Sequence, residues 1–176
     1  MPATYTLIAS NTLSSTAASV TFSAIPGTYT DLVLRYSTRN TTTGTDDNYV
    51  EIQLNSGTSG YSQTWINGTG AAAASGRYST SSGNTFLEMW GDVDGSATSS
   101  TFGSTEIYIP NYTGTTNKVL SGYGVPERNA TTFAVGIYAT AMLSTLTSAI
   151  TSIAIKAQSN NFASGSSFFL YGIKNS

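Results

Sequence analysis

Apolar and polar residues alternate with period two along most of this chain, the spacing of strands with one buried face. Tyr5, Leu7 and Ala9 alternate with Thr4, Thr6 and Ile8, and Val20 and Phe22 follow before a turn at Pro26-Gly27. The run from Asp31 to Arg39 is the clearest early strand, with Leu32, Leu34 and Tyr36 inward and Arg35 and Arg39 outward. Val50, Ile52 and Leu54 alternate with Glu51 and Gln53, which reads as a strand with one wet face. Between Ser56 and Asn84 the pattern decays into Gly, Ser, Thr and Ala, predicting a long loop excursion with one or two short strands.

Periodicity returns at Thr85 to Asp94, with Phe86 and Trp90 on one face and Leu87, Met89 and Val93 on the other. Glu106 to Ile109 is a strand closed by Pro110, and Lys118 to Val125 is another. In the latter, Gly122 and Gly124 predict a close backbone approach or strong bending. Phe133, Val135 and Ile137 alternate with Ala134 and Gly136, while Met142 to Leu146 suits a helical turn as well as a loop. From Ala149 to Lys174 two strand-like runs flank a polar connection, and a C-terminal hairpin is expected there. Its second run is apolar on both faces: Phe169, Tyr171 and Ile173 are read as core, and Phe168 and Leu170 as facing a subunit seam or the N-terminal strand.

About nine to eleven strands separated by Gly/Ser/Asn turns predict an all-β, single-domain antiparallel β-sandwich, jelly-roll-like, spanning the whole chain. No repeat of fixed period points to a propeller, solenoid or shaft.

Composition sharpens this. Ser and Thr make up nearly a third of the 176 residues and charged residues only 9%, against about 25% in ordinary soluble proteins. The surface is therefore expected to be rich in hydroxyls and amides. The seven Lys and Arg are scattered and the net charge is −2, so no basic stripe exists to neutralise a phosphate backbone, and nucleic acid is not an expected partner. Nor is a membrane: no apolar window reaches the length of a span, and the opening MPATYTLIASNTL has no basic, leader-like n-region.

Cysteine and histidine are both absent. That removes thiolate chemistry, the commonest general base and the commonest metal ligand. A Ser-Lys dyad is formally open. Paired carboxylates among Asp46, Asp47, Glu51, Glu88, Asp92, Asp94, Glu106 and Glu127 suit glycosidase chemistry at the right separation. Solvated turns and strand faces account for the same residues. Asp92-Val93-Asp94-Gly95 resembles the start of a calcium loop, but Gly103 stands where the closing Glu is required, leaving Glu106 as the other candidate ligand. No cofactor is expected, and no catalytic constellation emerges. Tyr61, Trp65, Tyr78 and Tyr112 lie in Gly-rich stretches and are candidates for contact with a neighbouring subunit or a glycan. Trp90 reads as core. Sequons at Asn40, Asn67, Asn111 and Asn129 bear on function only with a secretory route.

Three segments together, TYTDLVLRYSTR (Thr28 to Arg39), IYIPNYTGTTNKVLSGYGVPERNATT (Ile107 to Thr132) and AITSIAIKAQSNNFASGSSFFLYGIK (Ala149 to Lys174), resemble small virion proteins of tailed bacteriophages, including marine and cyanobacterial phages. The closing Leu-Tyr-Gly-Ile-Lys is the most specific part; the likeness covers about the first 55 residues and those after Phe102. The resemblance implies a structural part of the particle and no functional residues. One placement is a capsid decoration (cement) protein, packed as a homotrimer on the major capsid protein at the outer surface of the head. The other is a tail-associated, receptor-binding protein contacting host surface glycan. One short domain without a stem and without an enzyme site favours decoration.

Overall fold

A computed structural model describes residues 4–44, 48–79, 83–128 and 136–174. Its twelve strands are β1 (Tyr5–Thr12), β2 (Ser19–Phe22), β3 (Asp31–Ser37), β4 (Tyr49–Leu54), β5 (Tyr61–Gly68), β6 (Ala73–Tyr78), β7 (Leu87–Trp90), β8 (Ser104–Ile109), β9 (Lys118–Val125), β10 (Ile137–Ser144), β11 (Ile153–Ala157) and β12 (Ser167–Ile173). They form two antiparallel sheets, and no helix occurs among the described residues. The larger sheet runs β1-β12-β3-β8-β9-β10-β5-β6 and the smaller β2-β11-β4-β7. With the hairpins β5–β6 and β9–β10 set aside, successive strands alternate between the two sheets except at β4 and β7, which pair with each other in the smaller sheet, so the chain winds around its core.

That core is built from the period-two pattern. Leu32 and Leu34 of β3, Ile107 and Ile109 of β8, and Phe168 and Leu170 of β12 meet Val50 and Ile52 of β4, Leu87 and Met89 of β7, and Ile153 and Ile155 of β11. These side chains are fully buried, each contributing about 1.5–3 kcal/mol.

Two expectations about the C-terminus are overturned. β11 and β12 are not a hairpin: β11 pairs with β2 and β4, while β12 pairs with β1 and β3 in the other sheet. The connection crosses the sandwich and plugs it with Phe162, whose ring meets Phe168 edge-on at 5.1 Å. Backbone bonds of Phe162 with Ala17, and of Ala163 to Arg39, hold the crossing in place. The facing of β12 is also reversed. Phe168 and Leu170 point into the core, and Phe169 and Tyr171 lie half-buried on the outer face. The reason is Gly172, which continues the inward set and leaves the space that the Tyr29 ring fills. A glycine made the true inward face look the weaker one.

The excursion expected over 56–84 is instead a hairpin of full-length strands, β5 and β6, extending the larger sheet beyond β10. Thr69, Gly70 and Ala72 make its turn, Gly70 with φ of +81°. Residues Met142 to Ser144 belong to β10 rather than to a helical turn, paired on both sides. The strand expected from Phe133 lies partly outside the described residues and is seen from Ile137.

Strands β9, β10, β5 and β6 form a flap that curls around β7, the edge of the smaller sheet, with β9, β10 and β5 all touching it. The close approach signalled by Gly122 and Gly124 is there: a Cβ on Gly124 would coincide with the Trp90 carbonyl, and one on Gly122 would lie 3.0 Å from Met89 Sδ. On the edge itself, the Glu88 amide donates to Gln63 Oε1 at 2.8 Å, covering a donor that an edge strand leaves open. Beneath the flap a second apolar cluster gathers Trp90, Tyr138, Tyr49 and Trp65, with Trp90 and Tyr138 stacked at 5.4 Å.

Candidate functional site

The aromatic residues singled out from the sequence do not converge. Tyr61 is buried, its hydroxyl accepting from the Leu54 amide at 3.0 Å and donating to the Gly57 carbonyl at 3.3 Å, so it ties the β4–β5 connection together. Tyr112 is fully buried, donating to the Pro26 carbonyl and accepting from the Tyr29 amide. Both are internal struts, because a ring whose hydroxyl meets backbone is best placed at a loop base. Trp65 is half-buried on the concave side of the flap, lying over Gly76 and 5.4 Å from Trp90. Tyr78 shares that side and stays exposed. Phe168 and Leu170, fully buried in the sandwich, meet no outside partner.

The carboxylates are likewise dispersed. Asp94 accepts from the Ser96 and Ala97 amides, the Ser96 hydroxyl and Arg128 Nη1 at 3.0 Å. Asp92 accepts from Asn40 Nδ2 at 3.1 Å, and burial pushes its carboxyl up to about 7. Arg39 donates to the carbonyls of Gly95, Ala97, Thr98 and Thr101, so a guanidinium sits at the centre of the loop that resembled a calcium site. Glu106 lies on the opposite side of its strand, paired with Arg35. No group of three or more acidic ligands occurs among the described residues. Asp46 and Asp47 lie outside them.

Glu51 and Glu88 are brought together, as direct cross-strand neighbours on β4 and β7. Glu88 is only 8% exposed, and burial, followed by the charge of Glu51, pushes it up to about 7. Glu51 is also raised by burial, while Lys156 across from it on β11 pulls the other way. The wet face expected for β4 is therefore half covered. For the Ser-Lys dyad left open by the sequence, one of the three lysines, Lys118, is spent on the Gly114 and Thr116 carbonyls at 2.6 and 2.7 Å.

Sequence reasoning missed the outer face of the larger sheet. On its first half, Phe169 of β12, Arg35 of β3, Glu106 of β8 and Tyr123 of β9 stand in one register row. Arg35 Nε donates to Glu106 Oε2 at 2.5 Å, and its guanidinium lies 5.7 Å from the Tyr5 ring and 5.8 Å from that of Tyr171. These contacts orient both charges. A shallow trough of about 290 Å³ opens between Phe169 and Tyr123 over this pair, rimmed by Ser37, Ser104 and Ser167. The second half, on the flap, carries Ile66, Val119 and Ile137, each more than half exposed, and a 220 Å³ depression that Val119, Ala141 and Leu143 line together with Ser62, Thr64 and Arg77. The outward position of Arg35 was legible, but its row partners are set by the order β12-β3-β8-β9, which no local pattern encodes.

No helix is long and apolar enough to cross a membrane among the described residues. No family model, curated protein or solved structure matches the chain.

Proposed function

We propose that this chain is a non-enzymatic structural protein of a tailed-bacteriophage particle, a decoration protein that packs as a homotrimer on the major capsid protein and stabilises the shell. The observation that carries the reading is the set of exposed aliphatic side chains on the flap half of the larger sheet's outer face. Ile66, Val119 and Ile137 are exposed there on a chain with only 9% charged residues, the kind of patch a protein covers with a neighbour. A modest apolar contact repeated around a closed ring holds subunits without any single strong bond. We read the winding of the chain between its two sheets as jelly-roll-like, an architecture that capsid and lectin domains share; it supports a coat role and does not by itself assign one.

A tail-associated, receptor-binding role is the competing reading, favoured by the aromatic half of the same face, where Tyr5, Tyr123, Phe169 and Tyr171 surround Arg35. Copy number per particle separates the two. Hundreds of copies on purified phage, with a trimer by native mass spectrometry that Val119→Asp dissociates, support decoration. A few dozen copies support the tail. Absence from the particle, or a monomer at all concentrations, refutes the proposal.

A further inference from the structure

We propose that the trough between Phe169 and Tyr123 is a binding subsite for one neutral hexopyranose ring, seated over the Arg35–Glu106 pair. The inference does not rest on where in a particle the chain sits.

Three observations support it. The first is width. Phe169 and Tyr123 stand on β12 and β9, with β3 and β8 between them. At about 4.8 Å per strand their backbones lie roughly 14 Å apart. Two aromatic side chains take up part of that span and leave space for one saccharide ring between them. A volume of about 290 Å³ agrees with a single ring.

The second is the chemistry of the floor. Arg35 spends only Nε on Glu106 Oε2, so among the described residues both terminal guanidinium nitrogens and Glu106 Oε1 make no other hydrogen bond. A planar donor therefore sits beside an acceptor, the pattern that a pair of adjacent hydroxyls satisfies, each hydroxyl being donor and acceptor at once. The seryl hydroxyls on the rim add contacts of the same kind.

The third is charge. An Arg alone selects anions and a Glu alone selects cations. Paired at 2.5 Å they cancel, which suits an uncharged, hydroxyl-rich ligand over a sulfated or carboxylated one. Tyr5 and Tyr171 hold the guanidinium from the side, so the donor is in place before a ligand arrives. The rings of Phe169 and Tyr123 offer the apolar surfaces on which the C–H faces of a pyranose pack.

The test titrates the isotopically labelled full-length protein with the methyl glycosides of glucose, galactose and mannose, and with N-acetylneuraminic acid as the anionic control, following amide shifts. At least one neutral glycoside should shift the signals of residues 35, 106, 123 and 169 with a dissociation constant in the millimolar range, as befits a shallow site. Tyr123→Ala and Arg35→Met should each weaken that binding tenfold or more, while Thr147→Ala, at an exposed position outside the trough, leaves it unchanged. If Arg35→Met does not fold, Tyr123→Ala, at a position half exposed, decides alone. Three results overturn the proposal: no shift in those signals with any neutral glycoside at tens of millimolar, binding that survives Tyr123→Ala, or tighter binding of the anionic sugar.

Discussion

Glu88 contributes stability in mild acid that is lost at neutral pH, and Glu88→Gln removes that share of the dependence. The carboxyl stands directly across from Glu51, is almost wholly buried, and moves from an ordinary 4.5 up to about 7. Because the folded value lies above the unfolded one, the native state holds its proton where the unfolded chain has released it. Stability is therefore full below about pH 4.5, falls through the interval up to about 7, and is flat above. At about 1.36 kcal/mol per pH unit, the loss is about 3 kcal/mol once the group is ionised. The facing groups are Glu51, Tyr49 and Tyr78, with Lys156 one strand further away across from Glu51; Gln63 touches Glu88 without titrating. Asp92 has the same direction and a similar value, so wild-type curves alone do not isolate Glu88. The assay is equilibrium urea unfolding of wild type, Glu88→Gln and Asp92→Asn at pH 5 and pH 8. The glutamine keeps the shape and a polar atom for Gln63, so it should match wild type at pH 5 and exceed it by about 2–3 kcal/mol at pH 8. An equal difference at the two pH values would show that Glu88 does not titrate between them, and the argument fails.

Other consequences follow from the packing. Phe168→Ala should cost about 3–5 kcal/mol in denaturant unfolding, and Phe169→Ala about 1 kcal/mol; the reverse order would restore the facing expected from the sequence. Arg39→Ala removes the shared donor of four carbonyls, so limited proteolysis should begin to cut between Gly95 and Thr101, where the wild-type chain resists. Gly124→Ala drives a methyl into the Trp90 carbonyl, and near-ultraviolet circular dichroism should report loss of the Trp90–Tyr138 stack at a cost of about 1–3 kcal/mol.

Strand identity was local information. Alternation in β3, β4, β8 and β11 is enough to place Leu32, Ile52, Ile107 and Ile153 in a core, because one face of each strand is polar. Gly122 and Gly124 likewise announced a crowded backbone, since a missing Cβ has meaning wherever two strands cross closely. The absence of His and Cys limited the available chemistry before any coordinates.

What the tertiary structure decided was everything that depends on which strand lies beside which. β12 is apolar on both faces, so its period could not say which face was inward until Tyr29 was found filling the space at Gly172. The stretch of β5 and β6 scatters Tyr61, Trp65 and Ile66 among small and polar residues without a clean alternation, and it becomes strand because β10 offers it a paired edge. Arg35 and Glu106 lie far apart in the chain, and become one floor only because β3 and β8 are neighbours. Alternation reports the two faces of a single strand. Backbone hydrogen bonds, nearly indifferent to side chain, join strands into sheets, so the lateral order that builds a surface is written in the packing of the whole chain.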